Sequence, residues 1–412
     1  MNNRITALIA DAGGNIFDVP EVEGVGRIGG KFFKLKPEDL IKLPDSADLM
    51  FLPERQAIGF KRGEFVTLKG GAVSAILPQG YTRTHLPAFQ KNFRAQVLPL
   101  YGYTAVVLYK DELHAAALYT DENHKWNPEH FNTPKLKNFI RRVKKDLPNN
   151  RIVAQVAKCS LKWHCLTAQN LFYRRWECGI PTSPTCNANC LGCISLQAAE
   201  CCPSPQTRIT FKPTVDEIAD VGIYHLNHAP EGIISFGQGC EGEPSLMAEN
   251  ISAAIKKIRA TTSRGQININ TNAGNTSGIK KIVDAGLDSM RVSIISANAD
   301  NYQKYYRAAY TLDAVKNSIR YALDNGVHVS LNMLYMPGFN DRESEFAAWK
   351  SFLEELPVQM IQIRNLNYDP DEFFAVMPPD ENFLGTKDFL RELQKIFPAL
   401  TIGNFSHYLP NK

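Results

Sequence analysis

The sequence predicts an α/β fold in which parallel strands alternate with helices to make a barrel or partial barrel, behind a mainly-β accessory domain. Three observations carry this expectation. From about Gly179 onward, strand-like and helix-like runs alternate with a regular beat, the pattern of βαβ units in a parallel sheet. Two of the helical runs end on a glycine, Gly286 and Gly326, where a left-handed cap is favoured. Residues 1–125 instead show short β-like runs broken by Gly, Pro and Asp.

The elements follow in order. Thr214-Val215-Asp216-Glu217 is a capping box that opens a helix toward Asn227. A strand is expected over 232–236. A helix is expected over 245–261, with Met247, Ile251, Ala254, Ile255 and Ile258 at helical spacing. Strands over 266–272, 289–296, 327–336 and 359–367 then alternate with helices over 277–285, 311–325, 341–356 and 386–397. Residues 400–405 read as a further edge strand. Five or six such units fit a barrel or partial barrel with right-handed crossovers; an open doubly wound sheet is the alternative.

Alternation inside the strands predicts a polar interior. In Ile267-Asn268-Ile269-Asn270-Thr271-Asn272 the apolar residues share one face and the three asparagines the other. The apolar face must meet the helices, so the asparagines point inward. The same logic places Arg291, Ser293, Ser330, Asn332, Gln362 and Arg364 inside. A closed barrel packed with branched aliphatics does not look like this. A wet cavity does, and so does a sheet with one face in water.

The first domain has β-like runs over 64–68, 72–77, 103–109 and 113–119, with Lys110-Asp111-Glu112 as a hairpin turn. A basic helix over 135–145 includes Arg141, Arg142, Lys144 and Lys145. It is either a solvated face or a surface for RNA or an acidic protein. The expected organisation is a mainly-β accessory domain over 1–125 and a helical, cysteine-containing connector over 126–178. The barrel follows over 179–370, and a C-terminal helix with an edge strand over 371–412.

Composition sets outer bounds. The chain has 412 residues and a net charge of +4, so its overall balance does not argue for nucleic-acid binding. No apolar run is long enough to span a bilayer. The start has only a short apolar stretch, residues 5–10, without a secretory layout. A cytoplasmic protein is expected, with no membrane partner. Nine cysteines, crowded between Cys159 and Cys240, then read as metal ligands or core residues rather than a disulfide framework.

Cys186-Asn187-Ala188-Asn189-Cys190-Leu191-Gly192-Cys193 is the most specific segment. Iron–sulfur cubes are normally held by four thiolates. Three on one short loop leave an iron without a protein ligand, and open positions are where metals do chemistry. A second motif, Gly237-Gln238-Gly239-Cys240-Glu241-Gly242-Glu243-Pro244, follows the strand over 232–236. Its glycines permit close backbone approach to a ligand, and it lies at the C-terminal end of a strand, where barrels build sites.

Together these motifs resemble the radical S-adenosylmethionine (SAM) superfamily. The resemblance implies a partial (β/α)6 barrel and a [4Fe-4S] cluster on Cys186, Cys190 and Cys193. It further implies reductive cleavage of SAM to a 5′-deoxyadenosyl radical, which abstracts hydrogen from a substrate the sequence does not name. An electron donor such as a flavodoxin or ferredoxin is implied as a partner. Gly242, Glu243 and Pro244 carry over from the family's Gly-Gly-Glu-Pro motif, which holds the amino group of SAM. Glu241 stands where that motif has its first glycine. Asn270, Asn272, Arg291 and Ser293 occupy the places that often meet the ribose and carboxylate of SAM. Met336-Pro337-Gly338-Phe339 resembles the adenine-side loop. Gly192 departs from the pattern, because an aromatic residue usually precedes the last cysteine and touches adenine.

The alternative is a non-catalytic module that binds zinc or a structural iron–sulfur cluster. Cys159, Cys165, Cys178, Cys201 and Cys202, with His164 beside them, either hold a second cluster or a zinc or are small core residues. Cys240 is expected in a core or loop role. No catalytic side chain is named by the sequence.

Overall fold

A computed structural model describes residues 4–122, 124–197, 204–377 and 382–410. The N-terminal part is all antiparallel. Its strands are β1 (Thr6–Ala10), β2 (Ile16–Glu23), β3 (Val25–Ile28), β4 (Lys31–Lys34), β5 (Leu40–Lys42), β6 (Asp48–Lys61), β7 (Glu64–Ile76), β8 (Tyr81–Arg83), β9 (Leu86–Pro87), β10 (Phe89–Lys91), β11 (Tyr103–Tyr109) and β12 (Glu112–Tyr119). Nine of them form one sheet, and β4, β3 and β9 form a small second one. The long β6 pairs with β7 and β2, and β7 pairs also with β1 and β11. The sheet therefore curls back on itself.

The hairpin between β11 and β12 turns on two residues rather than three. Lys110 and Asp111 both have positive φ (53° and 62°), and Glu112 is the first residue of β12, opposite Tyr109. Two central residues with positive φ are what a tight hairpin with the right strand twist requires.

Three helices follow: α1 (Leu136–Asp146), α2 (Arg151–Lys162) and α3 (Leu166–Tyr173). Only the first was legible in the charge pattern. Then comes the parallel sheet: β13 (Glu177–Gly179), α4 (Val215–His228), β14 (Ile233–Phe236), α5 (Ala248–Thr261), β15 (Gln266–Thr271), α6 (Thr276–Asp284), β16 (Ser289–Ile294), α7 (Ala299–Tyr306), α8 (Leu312–Asp324), β17 (His328–Tyr335), α9 (Glu343–Glu355), β18 (Met360–Asn365), α10 (Pro370–Val376), α11 (Thr386–Ile396) and β19 (Thr401–Gly403). The seven strands run in sequence order, all pairs parallel. That is six β/α units closed by a short edge strand, a partial barrel rather than a doubly wound sheet. The capping box at Thr214 and Glu217 is formed in both directions.

The strand faces divide as the alternation requires. Ile267, Ile269, Val292, Ile294, Leu331, Met333, Ile361 and Ile363 are sealed against the helices in one large core. The polar residues between them face the lumen. Burying such a set of aliphatics is the main stabilising term for the barrel.

The β domain is clamped to the barrel by buried cations. Arg83 donates to the carbonyls of Tyr103, Tyr335 and Leu366. Arg55 pairs with Asp369 at 3.0 Å, neither side chain being more than 1% exposed. Arg27 meets Asp371 at 2.7 Å.

Candidate active site

A cavity of about 580 Å³ opens at the C-terminal ends of the barrel strands. Cys186, Cys190 and Cys193 line it, each half-buried. Their loop is held from below by the end of α7. Asn189 N–H donates to Tyr306 O at 2.9 Å, Leu191 N–H to Tyr305 O at 3.0 Å, and Arg307 Nε to Asn189 O at 2.7 Å. Asn272 Nδ2 reaches Asn187 Oδ1 at 2.7 Å and ties the loop to the end of β15. Burial, then mutual repulsion with the other two thiolates, pushes the Cys190 thiol up. Coordination of the thiolates by a bound metal centre would offset that penalty.

The residues present fit a cubane. Three thiols on one loop share one cavity, and a charged donor stands beside them. Arg208 bonds Ser195 Oγ through Nε (3.1 Å) and Nη2 (2.9 Å), and its Nη2 lies 3.8 Å from Cys193 Sγ. Among the described residues, no three His, Cys, Asp or Glu side chains converge as a single-ion site does.

The turn after β14 is built around two buried carboxylates. Glu241 accepts five hydrogen bonds. Thr182 N–H (2.6 Å), Thr182 Oγ1 (2.9 Å) and Ser183 N–H (2.9 Å) meet one oxygen; Gly237 N–H (2.7 Å) and Gln238 N–H (2.8 Å) meet the other. It thereby stitches the start of the cysteine loop to the turn. Burial pushes its pKa up to about 7, against the pull of those donors. Glu243 caps the short 3₁₀ turn over Pro244–Met247 through Ser245 N–H, and also accepts from Thr271 Oγ1 and from Asn272 N–H at 2.8 Å.

Backbone crowding explains the glycines. Gly242 donates to Ser183 O at 2.7 Å, and a Cβ there would sit 1.9 Å from Thr185 O. At Gly237 φ is +84°, and a Cβ would lie 1.8 Å from Asn270 O. No side chain fits either position.

The expected SAM-side residues gather on one lumen. Gly242, Glu243, Asn270, Asn272, Arg291 and Ser293 all line the cavity; Pro244 is buried and does not line it. Asn270 donates to Gly237 O at 3.0 Å, and Ser293 accepts from Asn332 at 3.3 Å. Arg291 reaches across the lumen from β16. Its Nη1 donates to Gln362 (3.0 Å) and Ser406 (3.1 Å), and its Nη2 stands 3.9 Å from Glu177. Met336-Pro337-Gly338-Phe339 sits elsewhere. Pro337 O accepts from Gly29 N–H of the β domain at 3.1 Å, and none of the four residues lines the cavity.

Sequence reasoning missed the tyrosines of α7. Tyr305 and Tyr306 line the cavity, and a Cβ on Gly192 would lie 3.3 Å from the Tyr305 hydroxyl. The aromatic surface absent at position 192 is thus present beside it, from another element. Asn298, which caps α7 by accepting from Asp300 and Asn301 N–H, was the available signal.

Among the described residues, the remaining cysteines lie in or against the core. Cys159, Cys178 and Cys240 are buried in the main core. Cys165 packs against that core at the cavity edge. His164 turns away to Asn132 (2.9 Å). Cys201 and Cys202 lie outside the described residues.

Comparison with known proteins finds a family match within the chain. Residues 180–349 match the model described as the radical SAM superfamily. This stretch is similar to radical SAM domains. An uncharacterized protein of Methanocaldococcus jannaschii is 31% identical over 102 residues, 25% of this chain. The match spans 35% of that relative's length. Among solved structures, methylornithine synthase is similar with a TM-score of 0.39 and 15% identity, covering 64% of this chain and 78% of that one. Streptococcus suis SuiB bound to its precursor peptide SuiA is similar with a TM-score of 0.40 and 13% identity, covering 74% and 70%. These likenesses are too distant to transfer a substrate or a reaction. No helix among the described residues is long and apolar enough to cross a membrane.

Proposed function

We propose that this chain is a radical SAM enzyme acting on a substrate held in the polar lumen of the partial barrel. A single observation carries the reading: Cys186, Cys190 and Cys193 line the same cavity as the Gly242–Glu243 turn and the inward polar residues of β15 and β16. When bound, a [4Fe-4S] cluster and SAM would supply one-electron cleavage to a 5′-deoxyadenosyl radical and hydrogen abstraction.

The residues of the chain would bind, orient and exclude water. Cys186, Cys190 and Cys193 would hold the cluster. Gly242 and Glu243 would offer backbone to the methionine end of SAM, with Asn270, Asn272, Arg291 and Ser293 along the strand ends. The Glu243 carboxylate has a structural task as well, since its three donors fix the turn against β15. Tyr305 and Tyr306 would supply the aromatic wall. The loop between β7 and β8 closes one side, with Pro78 and Gln79 in the cavity wall, and limits water access to the reactive centre.

The test is anaerobic reconstitution followed by dithionite and SAM. Formation of 5′-deoxyadenosine, lost in Cys186→Ala, supports the reading. A fully loaded cluster that yields none, or a colourless protein that binds zinc through these cysteines, refutes it.

A further inference from the structure

The charges of the lumen do not balance, and this bears on what binds there. Arg364 on β18 lines the cavity. Its Nη1 donates to Asn404 O at 2.7 Å and lies 3.4 Å from Gln79 Oε1, on the lip contributed by the β domain. Among the described residues no carboxylate lies within ion-pair distance of it. The charge of Arg291 opposes it and that of Glu177 favours it. Among the described residues, Glu177 is the one carboxylate within ion-pair distance of Arg291, at 3.9 Å, and it already accepts from Ser235 Oγ at 2.7 Å. Nε of Arg291 is buried without a partner. Among the described residues, Glu241 and Glu243 form no ion pair with either arginine; their oxygens accept from Thr182, Gly237, Ser245 and Asn272.

Two half-buried guanidiniums therefore stand in one lumen with a single carboxylate, Glu177, near them among the described residues. Burial and the like charge of Arg291 depress the pKa of Arg364 to about 10, so it stays a cation at neutral pH. An unpaired cation in such a place is costly unless something neutralises it. A guanidinium is suited to grip a planar or tetrahedral oxyanion through paired N–H donors.

We propose that the substrate carries an oxyanion, a carboxylate or a phosphate, and that Arg364 binds it with Gln79 beside it. This rests on the radical SAM reading of the cavity and adds the chemistry of the substrate to it. Anchoring the anion at the lip would fix which carbon faces the reactive centre, a positioning effect that can dominate selectivity. Gln79 makes the β domain part of the specificity apparatus.

Equilibrium dialysis of the anaerobically reconstituted full-length protein with SAM tests this. One arm uses radiolabelled succinate and the other radiolabelled inorganic phosphate. Saturable binding is expected in at least one arm, and which arm binds distinguishes a carboxylate from a phosphate. Arg364→Gln should weaken binding about tenfold or more, as for loss of a charged hydrogen-bond donor, and Arg364→Lys should weaken it less. Should Arg364→Gln not fold, Gln79→Leu at the lip should still weaken binding about threefold. No saturable binding in either arm, or affinity unchanged in the variants that fold, overturns the proposal. Cleavage of SAM by the wild-type sample without added anion is read separately. It bears on the radical reading alone, so the two failures are distinguishable.

Discussion

The Glu241 carboxylate accepts the Thr182 backbone N–H at 2.6 Å, deep in the protein. An ionisable side chain thus stands where the family motif has a glycine, and it joins two segments that must stay in register: the entry to the cysteine loop and the turn after β14. Hydrogen bonds to a charged acceptor contribute roughly 1.5–3 kcal/mol each. In Glu241→Gln the amide nitrogen faces N–H donors on one side. We expect a loss of about 3 kcal/mol in chemical denaturation and poorer iron loading after reconstitution. Unchanged loading and stability would show that these bonds do not position the loop.

The same residue gives a pH dependence. Its folded pKa is raised to about 7 by burial, whereas an exposed glutamate titrates near 4.3. The folded state therefore binds the proton more tightly than the unfolded one. The contribution of this group is fully present at low pH and is lost as pH rises through about 7. Denaturation curves between pH 5 and 8 should show this component in the wild type and lack it in Glu241→Gln.

Arg208 stands 3.8 Å from Cys193 Sγ while bonded twice to Ser195. A positive donor beside a cluster sulfur stabilises the reduced, more negative state. Arg208→Gln should shift the midpoint of the cluster to lower potential in an EPR-monitored redox titration, with iron content retained. An unaltered midpoint would reduce Arg208 to a loop support.

Between the domains, the fully buried Arg55–Asp369 pair is reinforced by Leu98 N–H on Asp369 Oδ2 (2.9 Å) and by Arg55 Nη2 on Gln96 O (2.9 Å). Removing one partner strands a buried charge. Arg55→Ala should cost about 3–5 kcal/mol and expose the joint between the β domain and α10 to proteolysis. A change within error would mean the pair is readily rehydrated.

Much of the barrel was legible because β15, β16, β17 and β18 show period-two alternation and several helices carry a cap or a closing glycine. The cysteine loop was legible from spacing alone. Other parts were not. Helix α7 presents Tyr302, Tyr305 and Tyr306 inward among polar neighbours, so hydrophobic periodicity underweights it. Helix α10 begins Asp369-Pro370, a cap and first-turn proline that mark a start, but it is too short to show a period. In the β domain, β2 and β6 carry exposed charges and irregular registers, which break the alternation on which strand reading depends. The role of Glu241 was hidden because its donors come from two loops more than fifty residues apart in sequence. Placing Glu112 within the turn was an error of one residue, resolved by the positive φ at Lys110 and Asp111.

The central claim is that three thiolates hold a cubane with one iron open to SAM. EPR of the dithionite-reduced, anaerobically reconstituted protein, recorded with and without SAM, tests it most directly. The expected result is about four irons per chain, a reduced-cluster signal, and a clear change of that signal when SAM is added. A spectrum indifferent to SAM, or a protein that takes up zinc and no iron, would contradict it.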